Sequence, residues 1–461
     1  VNNVSLDVII LAAGVGSRMN SDLPKALQQI ASKPMLTHLI DTALNLNPNN
    51  IHIVVGHLAD QIKNKYAEQT LNNSTQKINF VMQSKQLGTA HAVKQAMPYV
   101  KSDLVLVLYA DVPLIKLDTL HSLVALSTKQ SLALLTVKLD NPTGYGRIIR
   151  NNSDQIIAIV EHKDANQDEL TINEVNTGIL ATHTHKLHKW LDQVNNNNSQ
   201  QEYYLTDIVN FAKQDNYAIN GIILNNDLQV QGANNKAQLV MLERYYQQTK
   251  AQELLQNGVT LYDDKRIDIR GNLTTGKDVS IDINCIFIGN VSIGSSVTIE
   301  AGCIIKDSVI GDNCLIKANS NLEGAIIASN VSCGPFARIR QGTKLHNNVK
   351  VGNFVEIKKA ELHEGVKAGH LSYLGDAIIG KNSNIGAGTI SCNYDGTNKH
   401  QTIIGDNNFI GSNTSLVAPV ELKNNVTIAA GSVITKNVPK NNLAVARSRQ
   451  SNISNWKNNK D

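Results

Sequence analysis

Ile379-Gly380-Lys381-Asn382-Ser383-Asn384-Ile385-Gly386-Ala387-Gly388-Thr389-Ile390 repeats a six-residue unit: an aliphatic residue, then glycine, with a small residue fifth. The phase holds through Ile293-Gly294 to Ile299, Ile310-Gly311 to Ile316, and Ile404-Gly405 to Ile410-Gly411 to Leu416. Cys285, Cys303, Cys314, Ser383, Thr389 and Thr414 occupy the fifth place. A triangular coil accounts for this spacing. Each aliphatic residue points inward onto its counterpart one coil along, and glycine and small residues let the chain turn the corners. Stacked aliphatics need few rings, which suits an aromatic content of only 4%. The five cysteines, Cys392 and Cys333 included, are odd in number and form no C-x-x-C pair, which opposes a disulfide framework or a zinc cluster. They read as small wall residues.

The six-residue period resembles the hexapeptide-repeat left-handed parallel β-helix, an exception to right-handed crossovers. It covers 258–461 and ends in a basic tail. Residues 237–257 read as a connecting helix that stops at Asn257-Gly258. Residues 1–236 alternate short apolar runs (Leu6–Leu11, Ile51–Val55, Ile78–Met82, Leu104–Tyr109) with helical segments near Pro34–Leu46, Gly88–Met97 and Leu117–Leu126. That alternation predicts a doubly wound parallel sheet with ligands at the strands' carboxyl ends. The asparagines Asn195–Asn198 read as a surface loop. For 461 residues, a net charge of +4 cannot argue for nucleic acid. No apolar run is long enough to span a membrane, and the first residues lack a secretion signal, so a cytoplasmic protein is expected.

The first strand runs into Leu11-Ala12-Ala13-Gly14-Val15-Gly16-Ser17-Arg18-Met19, followed by Pro24-Lys25. Glycines after a strand let backbone N–H groups approach phosphate oxygens, and Arg18 and Lys25 add fixed charge. A bare G-x-G is equally a tight turn. The whole string resembles the signature of sugar-1-phosphate nucleotidyltransferases, which implies a Rossmann-like α/β domain that releases pyrophosphate. That family commonly has lysine where Val15 stands and glycine where Ala110 stands. The resemblance implies that Gln83, Gly88 and Thr89 read a uracil base, and that Tyr109, Ala110 and Asp111 close a strand on the nucleotide. Gly146, Glu161 and Asn176 would hold the sugar, and Asp111 and Asn234 would hold Mg²⁺. Asp111 is also placed to cap a helix.

Two strings in the second half mislead. Gly271–Asp278 nearly spells a P-loop but has Asp where Ser or Thr belongs. His363-Glu364 with His370 hints at a zinc helix, yet seven residues separate the histidines and Gly365 and Gly369 oppose a helix. Instead, Val351–Ala360 and Lys367–Asp376 resemble the bifunctional family that acetylates glucosamine-1-phosphate and then uridylates it. The resemblance covers nearly the whole chain. It implies His370 as the base that takes a proton from the attacking amine, a task suited to an imidazole. It also implies Arg340, Lys358, Tyr373 and Asn384 on the sugar phosphate. Ala387, Asn393, Tyr394, Ser412, Ala430 and Arg447 would lie on acetyl-CoA, with UTP as the other co-substrate. Asn393 and Tyr394 fall in a break in the period, Ser391–Thr402, which is equally a tolerated insertion. A homotrimer with sites between subunits is expected. The rival is a nucleotidyltransferase whose β-helix only oligomerises or regulates; a thinner alternative is a degenerate first domain.

Overall fold

The computed structural model describes residues 4–14, 16–67, 77–225, 227–454 and 456. Val15, where the family commonly has lysine, lies outside them. The chain divides into two compact units, Val1–Tyr246 and Gln247–Asp461. The helix Lys236–Gln256 carries the boundary between them.

In the first unit a nine-stranded sheet runs, edge to edge, through Ala218–Leu224, Ser131–Lys138, Glu174–His183, Leu104–Tyr109, Leu6–Ala12, Asn50–Val55 and Lys77–Met82. Two further strands, Arg147–Arg150 and Ile156–Val160, branch from Glu174–His183. Val8, Ile9 and Ile10 are all fully buried, as expected for a central strand covered on both faces. The four strands read from the sequence are parallel. Beyond these four the sheet is mixed, and Arg147–Arg150 and Ile156–Val160 pair antiparallel. Glu174–His183 runs antiparallel to both of its neighbours in the order. Its register breaks between Asn176 and Leu180. There Gly178 has φ +83, and a Cβ on it would lie 2.5 Å from the Tyr109 ring.

The second unit is a parallel β-helix. Strands of two to four residues dominate and pair with their counterparts 17 or 18 residues along, as in Lys344↔Glu361 and Arg338↔Glu356. One inward column runs Ile339, Ile357 and Leu374, each at most 1% exposed. The corners turn through left-handed residues that also stack in columns. One column contains Asn313, Asn330, Asn348, Asn382, Asn407, Asn425 and Asn441; asparagine tolerates that region. A second contains Phe336, Phe354 and Leu371, all with φ of +50 to +55. The break in the period is an inserted loop: Ile379 pairs with Ile404, twenty-five residues on. Cys285, Cys303, Cys314 and Cys333 are buried, and the first three thiols donate weakly to wall carbonyls of Glu300, Lys317 and Ala328.

Candidate active sites

At the carboxyl ends of the central parallel strands, a cleft is lined by Leu11, Ala12, Ala13, Gly14, Lys25, Gln83, Gly88, Thr89, Tyr109, Ala110 and Asp111. Gly88 has to be glycine. Its φ is +119 and a Cβ would lie 2.5 Å from the Tyr203 carbonyl oxygen. Gln83 is buried, and its amide nitrogen donates to His91 Nδ1 (2.9 Å) and the Gly88 carbonyl (3.3 Å). In this orientation its carbonyl oxygen is the group left to accept from a ligand.

Lys25 Nζ donates to Asp111 Oδ2 and, at 2.7 Å, to Asn234 Oδ1. Arg18 Nη2 reaches the same Asn234 oxygen at 3.4 Å. Asp111 and Asn234 are held together by backbone, since Ala233 N donates to Asp111 O at 3.1 Å. The two oxygen donors predicted to share a metal therefore already converge on one cation, the Lys25 ammonium.

The residues expected on the sugar form an adjoining group. Asn176 N donates to Gly146 O at 2.9 Å, and a Cβ on Gly146 would lie 3.4 Å from both Glu161 carboxylate oxygens. Burial raises the pKa of Glu161, opposed by a 3.0 Å hydrogen bond from Thr206. Burial, then the charges of Glu161 and Asp111, push the Tyr109 hydroxyl well above its usual range; a hydrogen bond to Thr89 works the other way. Tyr109 thus bridges the two groups electrostatically. Reading the sequence missed Gln86 and Glu202, which line the cleft, and Asp207, whose carboxyl rises to about 6 through burial and the charges of Glu161 and Asp164.

In the β-helix the predicted residues fall into two groups. Arg340, held by Glu356 at 2.7 Å, lies near Lys358 and Tyr373. Lys358 has its pKa lowered first by Lys399 and then by Arg340, so three cations crowd one patch. Lys399 was missed; its position in the loop after Tyr394 carries no local signal. A Cβ on Gly375 would collide with both the Tyr373 hydroxyl and the Asn393 side-chain nitrogen.

The second group is a row on the next face. The register Ala368↔Ile385↔Ile410↔Ile428 carries His370, Ala387, Ser412 and Ala430 onto successive coils at the same height, with the Arg447 side chain beside Gly431. Asn384 lies on this face too, opposite Lys367. His370 is exposed, and among the described residues no side chain bonds its imidazole. Among the described residues no hydrogen bond joins the two groups.

Residues 8–163 match the model of the MobA-like NTP transferase domain. Residues 269–347 match the GMPPB C-terminal domain, and 401–436 match the bacterial transferase hexapeptide of six repeats. Curated relatives span nearly the whole chain. The bifunctional protein GlmU of Pseudomonas putida (strain GB-1) is 52% identical over 98% of both chains. That of Pseudomonas savastanoi pv. phaseolicola is 54% identical over the same shares. A solved UDP-glucose pyrophosphorylase complexed with UDP-glucose matches 52% of this chain and 98% of its own, at 17% identity and a TM-score of 0.43. The chain belongs to the family of bifunctional GlmU proteins, enzymes that join a uridyltransferase to an acetyltransferase.

Proposed function

We propose that the β-helix transfers acetyl from acetyl-CoA to the amine of glucosamine-1-phosphate, and that the first unit then couples the product to UTP. UDP-N-acetylglucosamine forms and pyrophosphate leaves. The observation that carries this is that one chain holds two separate constellations of the right chemistry: Lys25, Arg18, Asp111 and Asn234 in the first unit, and the His370 row with its neighbouring cationic patch in the second.

For uridylyl transfer the phosphate oxygen of the sugar attacks the α-phosphorus of UTP. A phosphate nucleophile is already anionic at neutral pH, so the chain's task is alignment and charge neutralisation. Gln83 accepts from the base N–H, and backbone N–H groups around Gly14 face the phosphates. Arg18 and Lys25 offset the charge that develops on the pyrophosphate. Asp111 and Asn234 supply the hard oxygen donors that suit Mg²⁺; bound there, Mg²⁺ would add neutralising charge at the phosphates. Glu161 and Asn176 accept from and donate to sugar hydroxyls.

For acetyl transfer the amine, as its free base, attacks the thioester carbonyl while the His370 imidazole takes a proton from the nitrogen; the C–S bond breaks and that proton passes to the CoA thiolate, which leaves as the thiol. Arg340, Lys358 and Lys399 hold the sugar phosphate, while Ala387, Ser412 and Ala430 line the CoA row. The chain works as a homotrimer. Phe336, Phe354 and Leu371 form an exposed apolar corner column (47%, 58% and 62% exposed) directly beside His370, and a second copy covering it would complete the site.

The test is mass spectrometry of products from glucosamine-1-phosphate, acetyl-CoA, UTP and Mg²⁺, with single omissions and a His370→Ala control. Wild type should yield UDP-N-acetylglucosamine, and the variant should leave unacetylated sugar phosphate. Active uridylyl transfer with no acetylated product from wild type would leave the β-helix as scaffold.

A further inference from the structure

His346, Glu361 and His363 meet on a face of the β-helix that carries none of the proposed substrate residues. Lys344–Leu345 pairs with Glu361–Leu362 in parallel register, so the next position sets His346 over His363 on the adjoining coil. Backbone holds both: His346 N donates to Leu362 O and His363 N to Ile379 O, each at 2.9 Å. The rings stack with centroids 4.9 Å apart and planes 10° apart, the ordinary spacing of adjacent strands. Glu361 and His363 flank the inward Leu362, so both side chains point outward. Glu361 Oε1 lies 2.7 Å from His346 Nε2. All three are partly buried, and one ligand atom from each lies within 4.8 Å of the others.

We propose that these residues form a binding site for a borderline divalent cation of the zinc type, clipping one coil to the next. Two neutral imidazoles and a carboxylate are a common zinc donor set, whereas Mg²⁺ prefers oxygen ligands and keeps its waters. Zinc in tetrahedral geometry wants neighbouring donors about 3.3 Å apart, within reach of small side-chain rotations here. Glu361 lies in a strand and each histidine directly follows one, which makes the site preorganised. Lys344, the register partner of Glu361, is exposed and long enough to swing aside. The string His363-Glu364 with His370 is the wrong set; the partner of His363 lies seventeen residues before it, one coil back.

The test uses the full-length chain, stripped with a chelator and titrated with Zn²⁺ by calorimetry, with Mg²⁺ present at millimolar concentration throughout. The chain has 13 histidines, so the reading is a difference between proteins. A His346→Gln/His363→Gln variant should bind one Zn²⁺ fewer per chain than wild type and lose the zinc-dependent rise in Tm. Glu361→Gln, which keeps size and shape, should weaken that site by more than the roughly tenfold that loss of an outer-shell partner costs. Equal zinc stoichiometry and affinity in wild type and the double variant would overturn the proposal.

Discussion

Asp207 titrates near 6 because its carboxylate is partly desolvated and faces Glu161 and Asp164. A carboxyl raised from 3.8 stabilises the fold fully below about pH 4, and that contribution is lost as pH rises through 6. Wild type should therefore lose on the order of 1 kcal/mol relative to Asp207→Asn between pH 4 and 6.5, after discounting for solvent screening. Denaturant melts of both proteins across that range read the difference; parallel curves would contradict it. Lys25→Ala should cut uridylyl transfer by about 10²–10³-fold, the usual worth of a charge-stabilising donor, and leave acetyl transfer intact. Separate assays of the two half-reactions check this. The contrast between these residues explains what was legible. Lys25 and Asp111 sit in strings beside strand ends, where chain order alone predicts a ligand. Asp207 and Lys399 act through partners far away in sequence, and nothing next to them marks that.

Two glycines of the β-helix occupy equivalent places on adjoining coils and differ in what they tolerate. A Cβ on Gly352 would sit 1.9 Å from the Gly369 carbonyl oxygen, whereas one on Gly369 meets no atom within 4 Å. Gly352→Ala should therefore push apart the coils beside His370, lowering Tm and acetyl transfer while uridylyl transfer persists. Gly369→Ala should fold like wild type. Thermal melts with both half-assays distinguish them. Ile357→Ala, in the inward column, should cost about 2–5 kcal/mol by transfer and cavity terms. The coil's aliphatic period was readable because each position does the same job at fixed spacing. The corners at Phe336, Phe354 and Leu371 were not, since bulky residues with positive φ contradict local preference and are held there by stacking. The antiparallel strand Glu174–His183 escaped notice for a related reason: an apolar run records burial, not direction.

For the whole molecule, the proposed homotrimer would tie assembly to one of the two reactions through the exposed Phe336–Phe354 stack. Phe354→Asp should shift the solution mass toward a single chain and lower acetyl transfer, with uridylyl transfer little changed; sedimentation and the two assays read both effects. No helix among the described residues is long and apolar enough to cross a membrane.

A coiled stack of rungs behaves like a zipper, each tooth gripped by the ones on either side. The strand Leu443–Ala444 is gripped on one side alone, by Thr427–Ile428, and Leu443 stays 65% exposed. Fraying at this end of the coil therefore starts at this rung, only a few residues before Arg447. A cofactor reaching from Ala387 to Arg447 would act as the zipper's end-stop. Acetyl-CoA would then slow amide exchange most at the last rungs, and the enzyme's second substrate would also be the latch on its loosest end.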